Sequence, residues 1–101
     1  MVEQISPTDL KSRLEKEEDI VLIDVREPFE HDEFNIGGEL VPLGTLMDSI
    51  ETLESHKPKT VITYCRSGAR SNAAAEALSN AGFTVLNLQG GMIRWRETYP
   101  E

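Results

Sequence analysis

At 101 residues, with 39% hydrophobic and 28% charged side chains, the chain has room for one domain with a single core, spanning residues 1–101. No apolar run approaches the length of a membrane span, and Met1-Val2-Glu3-Gln4-Ile5 lacks the basic and apolar regions of a secretory signal. A net charge of −8 without a basic stripe argues against nucleic acid as a partner, and one cysteine excludes an internal disulfide and a cysteine-rich metal site.

Ser6-Pro7-Thr8-Asp9 starts a helix, with Ser6 as N-cap, Pro7 at the first helical position and Asp9 in the first turn. Leu10 and Leu14 mark its buried stripe, and it ends near Glu17 in the solvated acidic run Glu15, Glu17, Glu18, Asp19. Ile20-Val21-Leu22-Ile23 is a continuous apolar run of strand length, as expected of a parallel sheet covered on both faces. It exits into Asp24-Val25-Arg26-Glu27-Pro28, where Pro28 is expected to keep the chain from turning helical. Residues 29–45 read as an irregular polar connection in which His31 is an exposed loop residue, Gly37-Gly38 makes a tight turn, and Val41-Pro42-Leu43 is an extended apolar end.

Leu46, Ile50 and Leu53 then mark a second amphipathic helix to about Ser55, broken by Lys57-Pro58-Lys59. Thr60-Val61-Ile62-Thr63-Tyr64 is a buried strand, and a helix begins around Ser71 and closes at Asn80-Ala81-Gly82. Phe83-Thr84-Val85-Leu86 is a third strand. After Gly90-Gly91 a last helix carries Ile93 and the core residue Trp95, and Pro100 ends it. The alternation predicts an α/β domain with a mostly parallel sheet and helices on both faces, and in such sheets sites gather beyond the carboxyl ends of the strands.

Cys65 follows one of those strand ends and opens Cys65-Arg66-Ser67-Gly68-Ala69-Arg70-Ser71. A thiol on a Gly-containing loop that feeds a helix N-terminus meets backbone N–H groups and partial positive charge, which favour a thiolate. Its polar neighbours argue against deep burial. Residues 1–55 carry a net −11 and residues 56–101 a net +3, so positive charge is concentrated near the cysteine. Asp24 and Arg26 end a neighbouring strand. Asp24 could fix Arg70 or the loop backbone, or simply satisfy its own turn, and Arg26 could pair with Glu30.

Three segments together resemble the rhodanese-like sulfurtransferases. Ile23-Asp24-Val25-Arg26-Glu27 is similar to the family's first signature, and Tyr64-Cys65-Arg66-Ser67-Gly68-Ala69-Arg70-Ser71 to its active-site loop. Val85-Leu86-Asn87-Leu88-Gln89-Gly90-Gly91-Met92-Ile93-Arg94-Trp95 is similar to its closing signature. One segment departs: the family's usual Gly-His-Ile is replaced by Phe34-Asn35-Ile36-Gly37-Gly38, so the central loop and its partner surface are where the match breaks.

The resemblance implies a sheet of about five strands and sulfur transfer through a Cys65 persulfide, with no cofactor and no metal. Arg66, Ser67, Gly68, Ala69 and Arg70 would hold the donor and the persulfide sulfur, supported by Asp24, Arg26 and Ser71. Ser71 either caps the helix or donates into the loop. The implied partners are a small anionic donor such as thiosulfate and a sulfur donor or acceptor protein, serving a monomer or weak dimer in the cytoplasm. A phosphatase or arsenate reductase on the same fold is the nearest rival, but four residues rather than five separate Cys65 from Arg70, a smaller cradle that favours sulfur. A non-catalytic interaction module is the second rival, against which stands the retained Cys65. A redox-sensing thiol would need a partner's cysteine to resolve it.

Overall fold

Among the described residues five strands, all parallel, form one sheet in the order β1-β5-β4-β2-β3. They are β1 (Glu3–Ile5), β2 (Ile20–Asp24), β3 (Glu39–Leu40), β4 (Thr60–Tyr64) and β5 (Thr84–Leu88). The computed structural model describes residues 2–100. Parallel strands need crossovers, and the helices supply them: α1 (Pro7–Glu15), α2 (Pro28–Glu33), α3 (Leu46–Ser49), α4 (Ala69–Asn80) and α5 (Gly91–Thr98). Among the described residues no helix is long and apolar enough to cross a membrane.

Alternation along each strand divides the core in two. Ile23, Val61, Cys65 and Val25 join Leu46, Leu53, Ala74 and Leu78 on the α3 and α4 side. Leu22, Ile62, Tyr64 and Leu88 face the other way, against Leu10 of α1 and Met92 and Trp95 of α5. The α/β architecture with both faces covered is therefore as expected, and Trp95 is a core residue, 6% exposed.

The first helix starts as read, with the Ser6 hydroxyl accepting the Asp9 N–H at 3.1 Å. Other local expectations are corrected. β1 is too short to announce itself by pattern; its pairing with β5 makes it a strand. Pro28 does not block a helix but begins one, because a proline at the first helical position gives up only an N–H that would have no intrahelical partner. The Glu30 carboxylate accepts the Glu27 N–H at 2.9 Å and closes that first turn. The 29–45 connection thus holds all of α2 but its first residue, together with β3 and a 3-10 turn at Leu43–Thr45. The second amphipathic helix is α-helical only over Leu46–Ser49 and continues as 3-10 helix through Ile50–His56.

Candidate functional site

The carboxyl ends of β2, β4 and β5 converge on one edge. Asp24 pairs in register with Tyr64, the residue before Cys65, and the Val25 N–H reaches the Tyr64 carbonyl at 3.1 Å. Cys65 is 1% exposed, so the expectation of a shallow thiol is corrected. The reason is strand parity. Cys65 continues the face of Val61 and Thr63 and packs under α4, while Arg66 and Ser67 turn outward to solvent.

The loop closes over the sulfur. Gly68 is the N-cap of α4 with φ of +106°, a left-handed conformation that a side chain would strain. The Gly68 N–H lies 3.1 Å from Cys65 Sγ, the Ser71 N–H 3.3 Å and the Ser71 hydroxyl 3.4 Å. Burial pushes the thiol pKa up, but the Ser71 hydroxyl and the N–H groups of Ser71, Gly68 and Ser67 outweigh it, and the net direction is down. Because α4 begins at Ala69, Ser71 is its third residue and does not cap it. Its buried hydroxyl instead lies within reach of Cys65 Sγ and the Gly68 carbonyl in the loop and of Asn87 Oδ1 on β5. Ala69 and Arg70, in the same first turn, have N–H groups without intrahelical partners.

A second helix N-terminus holds the loop from behind. The Met92 and Ile93 N–H groups of α5 donate to the Cys65 and Arg66 carbonyls at 2.8 and 3.0 Å. A Cβ on Gly91, whose φ is +58°, would stand 2.5 Å from the Cys65 carbonyl oxygen, so only glycine permits this approach.

The charged residues meet expectation in part: Asp24 satisfies its own turn, one of the roles open to it, whereas Arg26 and Arg70 find other partners. Arg70 places its two terminal nitrogens on the Glu30 oxygens at 2.8 and 2.9 Å. Arg26 does not pair with Glu30, and Asp24 does not reach Arg70. The buried Asp24 instead accepts the Arg26 N–H and Nε on Oδ1 and the Arg26 terminal nitrogen on Oδ2. His31 Nδ1 lies 2.8 Å from the same Oδ2, so His31 is half-buried and bonded, not an exposed loop residue. Arg26 also donates to the Phe34 carbonyl, tying the central loop to the strand end. Burial pushes Asp24 up, but the bonds from Arg26 and His31 hold it below the usual carboxylate range. Arg66 is exposed and forms no salt bridge among the described residues, and it lines a cleft of about 200 Å³ with Arg96, Phe34 and Ile93.

One group was missed altogether. Asn87, 2% exposed in β5, lies in register with Thr63 and accepts the Ser71 hydroxyl. The available signal was a polar residue within Thr84-Val85-Leu86-Asn87-Leu88, on the same strand parity as Val85 and so on a buried face. Among the described residues no group of three or more His, Cys, Asp or Glu could hold a metal ion.

This geometry has counterparts. The rhodanese-like domain family matches residues 6–98. A Bacillus subtilis protein named as a sulfurtransferase, YtwF, is 37% identical over 102 residues, covering 99% of this chain and 97% of its own. A sulfurtransferase of Allochromatium vinosum is 38% identical over 102 residues, covering 94% of this chain and 89% of its own. A rhodanese-related protein of Thermoplasma volcanium superimposes with a TM-score of 0.85 at 30% identity, covering 96% of this chain and 93% of its own.

Proposed function

The chain belongs to the rhodanese-like family, and we propose that it is a sulfurtransferase whose Cys65 carries a sulfane sulfur as a persulfide. The observation that carries this reading is the convergence of the Gly68 N–H, the Ser71 N–H and the Ser71 hydroxyl on one buried Sγ. Donors so placed stabilise a thiolate that is ready to attack.

With thiosulfate, the thiolate attacks the outer sulfur, the donor's S–S bond breaks, and sulfite leaves with the electron pair. The negative charge passes to the terminal sulfur of the persulfide. The N–H groups of Ala69 and Arg70, which have no partner within the helix, suit that sulfur. Cyanide, a thiol or a carrier protein then attacks the terminal sulfur, takes it and regenerates the Cys65 thiolate. Arg66, without an ion pair among the described residues, is the residue best disposed to attract an anionic donor, while Arg70 acts together with Glu30. Ser67 and Gly68 complete the loop, and the Asp24–Arg26 pair anchors the neighbouring strand end. A protein donor or acceptor with a basic face would suit the acidic first half, in the reducing cytoplasm a free thiol requires.

A phosphatase needs an arginine fork open to the phosphate oxygens. Here both terminal nitrogens of Arg70 already rest on Glu30, which weighs against that rival. Intact mass after thiosulfate treatment tests the proposal. A gain of one sulfur atom, reversed by cyanide and lost in Cys65→Ala, is expected. Hydrolysis of an aryl phosphate with no sulfur gained would reject it.

A further inference from the structure

Ser71 has one hydroxyl proton and three acceptors around it. Asn87 Oδ1 is at 2.5 Å, the Gly68 carbonyl at 3.3 Å and Cys65 Sγ at 3.4 Å. The carboxamide of Asn87 cannot be turned to relieve this contest. Its Nδ2 donates to Gln4 Oε1 at 3.0 Å and to the Gly68 carbonyl at 3.3 Å, and reversal would set oxygen against that backbone carbonyl, which can only accept. Cys65, Ser71 and Asn87 are all buried, so solvent does not settle the competition. In the observed geometry the proton belongs to Asn87, the much closer acceptor.

We propose that Asn87 is a positioning residue that acts on Cys65 through Ser71, holding the hydroxyl proton while the sulfur is uncharged and yielding it when the sulfur is a thiolate. The inference rests on the reading of Cys65 as the nucleophile and adds a device that follows its charge. When the thiol proton leaves for solvent, the Ser71 hydroxyl rotates from Asn87 to Sγ. When Sγ bonds to the donor's sulfur and the donor's S–S bond breaks, the charge moves to the terminal sulfur and the hydroxyl turns back. Asn87 thus favours the two states with neutral Sγ, the resting thiol and the persulfide. Its cost falls on the thiolate, which must take the proton away from it.

The charged groups on the elements around Cys65 are Arg70 on α4 with its partner Glu30 on α2, Arg66 in the loop, Arg94 and Arg96 on α5, and the Asp24–Arg26–His31 cluster beyond β2. None shares a hydrogen bond with the Ser71 hydroxyl or the Asn87 side chain, so substitutions at these two positions leave the charges in place. Asn87→Leu keeps the volume and orphans little. The Gly68 carbonyl still accepts the Asn72 N–H at 2.9 Å, and Gln4 is exposed.

The test is the pH dependence of iodoacetamide alkylation of Cys65 in the full chain. Asn87→Leu should move the profile to lower pH by about half a unit to one unit, the effect of one net hydrogen bond. Ser71→Ala should move it to higher pH, and adding Asn87→Leu to Ser71→Ala should then change nothing. An unmoved or raised profile in Asn87→Leu, or an equal downward shift without the Ser71 hydroxyl, overturns the proposal. A merely structural Asn87 would lower stability without this Ser71-dependent shift. If Asn87→Leu does not fold, the wild-type protein decides by NMR: the Asn87 carboxamide signals should titrate with Cys65, and a flat response rejects the idea. Alkylation needs no sulfur donor, so failure here is distinct from failure to form a persulfide.

Discussion

Replacing Glu30 by glutamine separates the two roles that Arg70 could have. Glutamine keeps an oxygen for the Glu27 N–H, so α2 retains its first turn while the charge opposite Arg70 disappears. The Arg70 bonds, opposed by partial burial and aided by the Glu27 N–H, hold the Glu30 carboxyl at about 2 against an ordinary value of 4.5. Taken at face value the shift corresponds to a ceiling of about 3 kcal/mol. The Arg70 side chain is 36% exposed, and solvent screening reduces the expectation to about 1–2 kcal/mol. For a domain of this size that is a fall in Tm of about 5–12 °C.

The sign with pH follows from the lowered value. The contribution is complete above about pH 4.5 and is lost as pH falls toward about 2. Wild type and Glu30→Gln should therefore differ in Tm at neutral pH and converge in acid. The same substitution releases a full positive charge beside the loop. Within a Debye length of a dianionic donor such a charge is worth about 1 kcal/mol, so the KM for thiosulfate should fall about fivefold at low salt. Calorimetry from pH 2 to 7 and steady-state thiocyanate formation are the assays. A Tm difference that persists unchanged to pH 2 would refute the electrostatic account of the pair. An unaltered or higher KM would mean that Arg70 does not attract the donor even when freed.

Gly91→Ala should displace the loop, since its Cβ would meet the Cys65 carbonyl at 2.5 Å. A loss of about 2 kcal/mol or more in urea unfolding, with slower Cys65 alkylation, is expected, and a wild-type alkylation rate would contradict the tight backing by α5. Asp24→Ala should cost about 3–5 kcal/mol by chemical denaturation, because it leaves the guanidinium of Arg26, 5% exposed, without its carboxylate. A loss below 1 kcal/mol would mean that the Phe34 carbonyl alone satisfies that charge.

The parts of the fold written in periodicity were legible. The apolar runs of β2 and β4, the Ser6-Pro7 helix start and the strand-to-helix passage at Cys65 all follow from local chemistry. The parts written in tertiary pairing were not. Glu3-Gln4-Ile5 becomes a strand only beside Leu86-Asn87-Leu88, and no local pattern reports that. Proline restricts the residue before it, which makes Pro28 look like a barrier in the sequence, yet Glu27 is extended and the helix begins at the proline itself. The site divides the same way. Cys65 and its loop stand out as contiguous residues, whereas the Glu30–Arg70 pair spans 40 positions and the Asn87–Ser71 contact spans 16. Pairings over such distances depend on strand order, which single-sequence reasoning supplies only as a class.

The burial of Cys65 and the occupation of Arg70 bear on the chemistry together. A sulfane sulfur is terminal, bonded to one neighbour, and can approach a recessed thiolate end-on. A phosphorus or arsenic centre is wrapped by oxygens, so a cradle for it must surround several anionic atoms and offer them a free guanidinium fork. In this chain Glu30 holds that fork, and the groups left around Sγ are N–H dipoles and one hydroxyl. Neutral donors in a buried loop suit a single negative charge that moves by one bond length, from Sγ to the sulfur attached to it. They are poorly matched to a multiply charged oxyanion. In the proposed transfer the dianionic donor meets Arg66 at the rim of the loop, sulfite carries two charges away, and a single persulfide charge stays beside Sγ.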